Sequence, residues 1–456
     1  MRKRIVIFGL ALVMVTALAA ELTACRVEGL GNELQPRTSE AEPAPAEPAA
    51  GVTLNTTDHI TYIMGDGAGY FNPDSNMTRA EIAVILYRLL SDRVPVTVSY
   101  ADVPADCWYA DAAAQLGSLG LLRGGESTFQ GDEYVTRGEF AYCIAAFFPQ
   151  RTDAPQFADV PPSYLYGYAN AIRSGRAYGW LTGYEDGTFQ PEQPILRSEA
   201  VVIINRALGR TGDKTSIISN RPALFLDVSV NTWHYYDVME ATVSHTYASN
   251  WTGAETWTSY METDTGLPAD FRTDGLHMYQ GWSYYYNANT KDVLRSTTSN
   301  GLTFGADGRF TTGDDWVDQQ LREIVLSQTN SGMTREEMLK AFFAYCRDSY
   351  KYLKWKHYSA GDTSFTLDAA RQILSTGRGN CYCYASTFWY LARWIGYDAK
   401  IISGYMYSGD HSWVEIDGYI YDTQLEWRYV RDWGRTNYLW HFYHLVDSKN
   451  EIKYRK

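Results

Sequence analysis

Cys381 sits where a thiol nucleophile is expected. Gly379-Asn380-Cys381-Tyr382-Cys383-Tyr384-Ala385 precedes apolar Ala385, Phe388, Ala392 and Ile395 at the spacing of one helix face, and Gly396 follows as a helix stop. Cys381 therefore falls at a helix N-terminus, where unpaired N–H groups and the macrodipole would favour the thiolate, the nucleophilic form. A nucleophile needs a base, and His411-Ser412-Trp413-Val414-Glu415-Ile416 alternates like a strand that carries His411. Asp417-Gly418 is a two-residue hairpin signal that turns this strand into Tyr419-Ile420-Tyr421-Asp422. That loop pairs Ile416 with Tyr419, Trp413 with Asp422 and His411 with Gln424. Asp422 then shares the face of His411 as its diagonal neighbour, and a slip of one residue would turn it away. Cys, His and Asp so placed form a triad: the imidazole takes the thiol proton, and the carboxylate fixes its tautomer and stabilises the imidazolium.

Elements ahead of the nucleophile complete the frame. Thr334-Arg335-Glu336-Glu337 is a capping box that opens an amphipathic helix through Met338, Phe342, Tyr345 and Tyr350. Cys346 lies inside this helix and reads as a core thiol. An oxyanion hole would use the Cys381 backbone N–H and one side-chain donor among Tyr352, Trp355 and Tyr358. A buried Cys alone is usually inert, and a His on a strand is usually a packing residue; only Cys381, His411 and Asp422 as an ordered set point to chemistry.

The constellation resembles the transglutaminase-like superfamily, whose hallmarks G-x-C-x-x-[YF]-A, H-x-W-V-E and a later Asp appear here as Gly379 to Ala385, His411 to Glu415, and Asp422. The resemblance spans roughly residues 315 to 445 and implies a papain-like α+β core with Cys381, His411 and Asp422 as catalytic residues. It also implies an acyl-enzyme on a peptide or glutamine amide with three outcomes. Amine attack crosslinks, water attack on a glutamine acyl group deamidates, and water attack after backbone cleavage is proteolysis. Cys383 departs from the acidic or polar residue common at that position, and an i, i+2 pair in one helix bridges poorly.

The first half repeats itself. Thr78-Arg79-Ala80-Glu81, Thr136-Arg137-Gly138-Glu139 and Leu196-Arg197-Ser198-Glu199 recur 58 and 60 residues apart, each preceded by a Gly-rich turn. A third marker, Tyr100-Ala101-Asp102-Val103, returns as Phe157-Ala158-Asp159-Val160 and Phe225-Leu226-Asp227-Val228. Each unit reads as helix, loop and helix. The pattern closely resembles three S-layer homology motifs over about residues 52 to 247, implying an all-α pseudo-trimer bundle that binds secondary cell-wall polysaccharide. The first motif lacks its opening half and a spare one, Phe225 to Val238 with Trp233, follows the third, so the two ends complete one another. In that family the Arg after the capping Thr and the opening Trp line grooves between motifs. By position these are Arg79, Arg137, Arg197 and Trp108, with Trp233 in the spare half. Leu196 replaces the capping Thr of the third motif, Leu165 stands at its opening Trp, and Glu126-Ser127 replaces Asp-Gly in the second.

Met1-Arg2-Lys3-Arg4 and the apolar run Ile5 to Ala20 read as an export signal over residues 1–24. Leu22-Thr23-Ala24-Cys25 resembles a bacterial lipobox, which implies lipidation of Cys25 and a membrane tether; the competing reading is ordinary cleavage near Ala17-Leu18-Ala19. Residues 25–51 form a Pro/Glu/Ala spacer. An aromatic, Gly-rich stretch over 248–313 reads as a small β-hairpin connector, and 314–456 as the catalytic domain. Asp307, Asp314 and Asp315 lack the spacing of a calcium loop, so no metal and no cofactor are expected.

The chain has 456 residues, 45% apolar and 20% charged, with 40 Lys+Arg against 53 Asp+Glu and a net charge of -13. It can bury packed cores, and the acidic balance opposes a nucleic-acid partner. Fourteen Trp and 36 Tyr suit either cores or exposed carbohydrate-binding faces. The sequence reading is thus a multidomain, exported thiol enzyme of the bacterial cell surface, bound to wall polysaccharide and acting on a protein or peptide. The competing class is a non-catalytic wall-binding surface protein with a relic triad, which predicts an unreactive Cys381.

Overall fold

The computed structural model describes residues 51–122, 124–125, 127–164, 167–251, 253–407, 409–446 and 454–456. The export signal, Cys25, nearly all of the spacer, Glu126 and Leu165 lie outside the described residues. The chain divides into two compact units at Pro268/Ala269.

The first unit holds helices α1 (Arg79–Leu89), α2 (Ala110–Ser118), α3 (Arg137–Ala145), α4 (Tyr168–Tyr178), α5 (Arg197–Leu208), α6 (Lys214–Asn220) and α7 (Tyr235–Thr242), then a hairpin of β1 (His245–Ser249) and β2 (Glu255–Tyr260). Thr78 and Glu81 close the capping box of α1, and Thr136 accepts from the Glu139 amide at α3. At α5, Leu196 offers no hydroxyl, yet Glu199 still accepts from the Leu196 amide at 3.0 Å. One half of that box survives the substitution.

Backbone hydrogen bonds join the three motifs in a closed cycle. The Met77 amide donates to the Ile195 carbonyl, Ile195 to Val135, and Val135 to Met77, each at 3.0 Å. The Asp-Val marker has one task in every repeat, accepting two successive amides of a Gly-rich turn. Asp102 takes Phe129 and Gln130, Asp159 takes Phe189 and Gln190, and Asp227 takes Phe71 and Asn72, at 2.6 to 2.8 Å. Asp227 belongs to the spare half and Phe71 to the first motif, so the ends are joined as the repeat count requires.

The second unit opens with β3 (Gly275–Tyr279), β4 (Trp282–Asn287), β5 (Asp292–Val293), β6 (Thr297–Ser299) and β7 (Leu302–Phe304). It continues through α8 (Asp315–Gln328), α9 (Arg335–Ser349), β8 (Lys351–Tyr352), α10 (Thr366–Thr376), β9 (Arg378–Gly379) and α11 (Cys381–Trp394). The last elements are β10 (Lys400–Met406), β11 (Gly409–Ile416), β12 (Tyr419–Tyr421), α12 (Thr423–Trp427) and β13 (Tyr454–Arg455). An antiparallel sheet in the order β12-β11-β10-β13 packs on α11. Helix α11 buries Tyr382, Tyr384, Phe388, Leu391 and Trp394, and side chains of Phe or Leu size contribute roughly 1.5–3 kcal/mol each on burial. Gly396 ends it in the left-handed conformation, φ 86°, with its amide on the Arg393 carbonyl.

The aromatic stretch 248–313 is divided between the two units at Pro268/Ala269. Trp257 and Tyr260 pack into the core of the first unit. Ser283 Oγ donates to the Trp394 carbonyl at 2.5 Å, Trp394 Nε1 donates to Gly281, and Phe310 packs edge-on against Trp394, which ties the later part to the second unit. Apolar side chains on short strands cannot form a core alone, so each part joins the nearest one. Asp314 caps α8 and pairs with Arg371, while Asp307 pairs with Arg309 at 3.4 Å.

Candidate active site

Cys381 is the first residue of α11, with Asn380 as the extended N-cap. The Asn380 side chain donates to the Lys356 carbonyl at 3.0 Å instead of capping the helix. First-turn amides have no intrahelical acceptor, so the Cys381 N–H is free of the helix ladder. Parallel pairing of Tyr352 with Gly379, and the Leu353 amide on the Gly379 carbonyl at 2.9 Å, lay the 351–353 segment beside the helix start. Gly379 is required there, because a Cβ would strike the Cys383 side chain, its Sγ at 2.8 Å.

His411 lies on the central strand β11, opposite Gly404 of β10. The hairpin register is Ile416 to Tyr419 and Val414 to Tyr421, with Asp417 and Gly418 both at positive φ as a type I′ turn requires. Strand β12 stops at Tyr421, so Gln424 is not a ladder partner of His411 but a residue of α12. Asp422 leaves the strand as the N-cap of that helix, and its Oδ1 accepts from the Leu425 amide at 2.9 Å. Its Oδ2 meets His411 Nε2 at 2.5 Å, a charge-assisted distance. Since the carboxylate only accepts, Nε2 carries a proton, and Nδ1 is left for the hydrogen bond between His411 and the Cys381 side chain.

The three residues are 7%, 3% and 2% exposed, respectively, which places the array under cover rather than on an open surface. Burial alone would lower the His411 pKa. The charges of Asp422 and Cys381, with hydrogen bonds to both, outweigh it and raise the value from 6.5 to about 10. His411 is thus an imidazolium at neutral pH. Burial pushes the Cys383 thiol up to about 12, and Cys346, fully buried, is raised further. Neither has the surroundings of a nucleophile, and Cys381 and Cys383 are separate free thiols.

Tyr454 has no counterpart in the sequence reading. Its hydroxyl donates to Asp422 Oδ2 at 2.9 Å, and its ring packs 4.9 Å from that of Trp413. It reaches the site because β13 pairs with β10 at Tyr405 and Met406, a long-range pairing that no local pattern announces. Of the three expected oxyanion donors, Tyr352 has Cys381 among the charges acting on its hydroxyl, whereas Tyr358 interacts with Cys383 and with acidic residues.

The repeat-region residues fall into two groups, largely buried arginines and more exposed tryptophans. Arg79 is fully buried, donating to the Phe129 and Gln130 carbonyls and pairing with Glu139 at 3.6 Å. Arg137 is buried against Glu199 at 2.6 Å and over the Phe189 ring, and Arg197 pairs with Glu81 at 3.8 Å. Each Arg thus meets the capping-box Glu of another motif around the cycle. Arg79 and Arg137 thus act as inter-motif struts, because a buried guanidinium must be paired. Trp108 is half-buried and Trp233 is 63% exposed.

Comparison with known proteins agrees with this architecture. The transglutaminase-like superfamily model matches residues 322–431, a span that includes Cys381, His411 and Asp422. The S-layer homology domain model matches 62–83, 99–141 and 156–201. The chain therefore carries three S-layer homology segments followed by a transglutaminase-like domain. It is 33% identical over 208 residues to cell surface glycoprotein 1 of Acetivibrio thermocellus, covering 42% of this chain and 9% of that protein. It is 32% identical over 213 residues to the cellulosome-anchoring protein of the same organism, covering 44% of this chain and 46% of that protein. The surface-layer 125 kDa protein of Lysinibacillus sphaericus is 33% identical over 156 residues, 32% of this chain and 13% of that protein. The chain thus spans less than half the length of these curated relatives.

Proposed function

We propose that this chain is a cell-surface thiol enzyme that forms an acyl-enzyme at Cys381 on a peptide or glutamine amide. The observation that carries the reading is the buried Cys381, His411 and Asp422 array with His411 held as an imidazolium. In the first half-reaction the Cys381 thiolate attacks the amide carbon, the oxygen takes the electron pair, and the Cys381 N–H with Tyr352 stabilises that charge. His411 then gives its Nδ1 proton to the leaving amine or ammonia as the C–N bond breaks and a thioester forms. In the second half-reaction an amine or water loses its proton to His411, attacks the thioester and expels Cys381. Asp422 keeps the ring oriented and stabilises the imidazolium throughout.

The S-layer homology segments and the surface or anchoring names of the relatives support a cell-surface location, with wall polysaccharide as the partner of the pseudo-threefold repeat bundle. The exposed ring of Trp233 and the half-buried Trp108 are the proposed polymer contacts, with Arg197, whose side chain is 13% exposed, beside Arg79 and Arg137 as struts. The lipobox-like run before Cys25 supports a second tether through a lipid.

The test pairs a glutamine peptide with a labelled primary amine and follows the thioester by intact-mass spectrometry. An acyl adduct on Cys381 that disappears in Cys381→Ala and His411→Ala is the expected result. Across a panel of peptides and amines, Cys381 that alkylates no faster than an ordinary thiol, with no adduct, would overturn the enzyme reading. Loss of wall binding on Trp233→Ala, scored by sedimentation with polysaccharide-bearing walls, tests the anchor separately.

A further inference from the structure

Far from the triad in sequence, His59, Glu240 and His245 bring three ligand atoms together in the first unit. His59 Nδ1 is 2.8 Å from Glu240 Oε1 and 2.9 Å from His245 Nε2, and the latter is 3.1 Å from the same Glu240 oxygen. The side chains are 1%, 0% and 0% exposed. His245 Nδ1 lies 2.8 Å from the Val243 carbonyl, which only accepts, so in the neutral ring Nε2 presents a lone pair to the cluster. His59 Nε2 faces Glu255 Oε1 at 3.7 Å, and with its proton on that side Nδ1 presents a lone pair as well. Glu240 is buried between the two rings, and its Oε2 finds no hydrogen-bond donor. Three atoms able to ligate a cation therefore converge within a buried cluster.

We propose that His59, Glu240 and His245 bind a divalent transition-metal cation of the Zn2+ type. Two imidazoles and a carboxylate suit zinc and disfavour calcium or magnesium, which take oxygen ligands. Ligand atoms around a tetrahedral zinc lie about 3.3 Å apart, so the three side chains separate by only a few tenths of an ångström to admit it. Glu240 Oε2 is available as a further ligand. Outer partners are present too: a carbonyl orients His245, the Glu255 carboxylate lies 3.7 Å from His59, and Glu255 is itself held by the Thr211 amide at 2.9 Å. Tyr247 stacks on His59 at 4.0 Å and Trp257 on His245 at 3.9 Å, an aromatic wall around the cluster. A closed site of this kind is structural rather than catalytic. Its ligands come from the segment before the first motif, from α7 of the spare half-motif and from β1, so the metal staples the two ends of the repeat cycle.

The experiment uses the full chain with Cys381→Ala and Cys383→Ala, so that active-site thiols do not compete, dialysed with Zn2+ and then against buffer. The expected result is one equivalent of zinc by elemental analysis, visible d–d bands of a four- or five-coordinate site with Co2+, and a Tm raised by roughly 5–10 °C at 100-fold excess over Kd. His59→Ala and His245→Ala should lose the metal, the bands and the Tm rise together. Glu240→Gln, nearly isosteric, gives the same answer if either Ala variant fails to fold. Zinc far below one equivalent with no Tm response overturns the proposal and leaves a proton as the bridge; zinc that persists in the folded variants overturns it by placing the metal elsewhere.

Discussion

Asp422→Asn removes one charge at nearly constant volume and tests the proposal that the His411 imidazolium activates Cys381. The rise of the His411 pKa from 6.5 to about 10 corresponds to about 5 kcal/mol, and Asp422 is the largest favourable cause. The amide can keep the Leu425 cap through Oδ1. On the Oδ2 side it loses a 2.5 Å charge-assisted bond to His411 and an acceptor for Tyr454. Hydrogen bonds to charged groups are worth about 1.5–3 kcal/mol, so iodoacetamide should alkylate Cys381 roughly 10- to 150-fold more slowly at pH 7. The assay is a time course resolved by peptide mass spectrometry, which separates Cys381 from Cys383, with circular dichroism to confirm folding. A folded variant whose Cys381 reacts within twofold of the parent would refute the proposed coupling of Asp422 to Cys381.

Three further outcomes follow from named contacts. In Gly404→Ala the new Cβ meets the Arg455 carbonyl and lies 2.8 Å from the Trp413 ring, so β13 is displaced. A loss of about 1–3 kcal/mol in denaturant melts and slower Cys381 alkylation are expected, and an unchanged melt would show that β13 does not pair there. Because His411 is raised from 6.5 to about 10, its imidazolium stabilises the fold fully below pH 6.5, and this is lost as pH climbs through about 10. Calorimetry of the transition that Gly404→Ala shifts should show Tm falling over that window, and less steeply in His411→Gln; equal slopes would contradict the assignment. Asp227→Ala removes acceptors from the Phe71 and Asn72 amides and should destabilise the repeat unit by about 1.5–3 kcal/mol, much as Asp102→Ala does. A cost below 0.5 kcal/mol for Asp227→Ala alone, on the ~0.5 kcal/mol scale of ordinary surface substitutions, would mean that the spare half does not complete the first motif.

Much of the site is legible in the chain because it rests on short-range rules. Periodicity to Ile395 and the stop at Gly396 place Cys381 at a helix start, and Asp417-Gly418 sets a hairpin register that puts Asp422 on the side of His411. The threefold recurrence of the Asp-Val and Arg-Glu markers likewise foretells a cyclic arrangement, because each repeat leaves donors that only another repeat can satisfy. What lies beyond is decided by contacts across long stretches of chain. Tyr454 reaches Asp422 only once β13 has paired with β10, and the aromatic stretch divides at Pro268 according to which core each part can join. Arg79 and Arg137 look like surface groups in sequence, but tertiary packing buries them beside carboxylates of other motifs. His59 and His245 stand 186 residues apart, and nothing local marks them as neighbours. Local propensity and periodicity reach a turn or a strand pair; closing the repeat cycle and completing the sheet are cooperative, and they alone settle which distant polar groups meet in the dry interior.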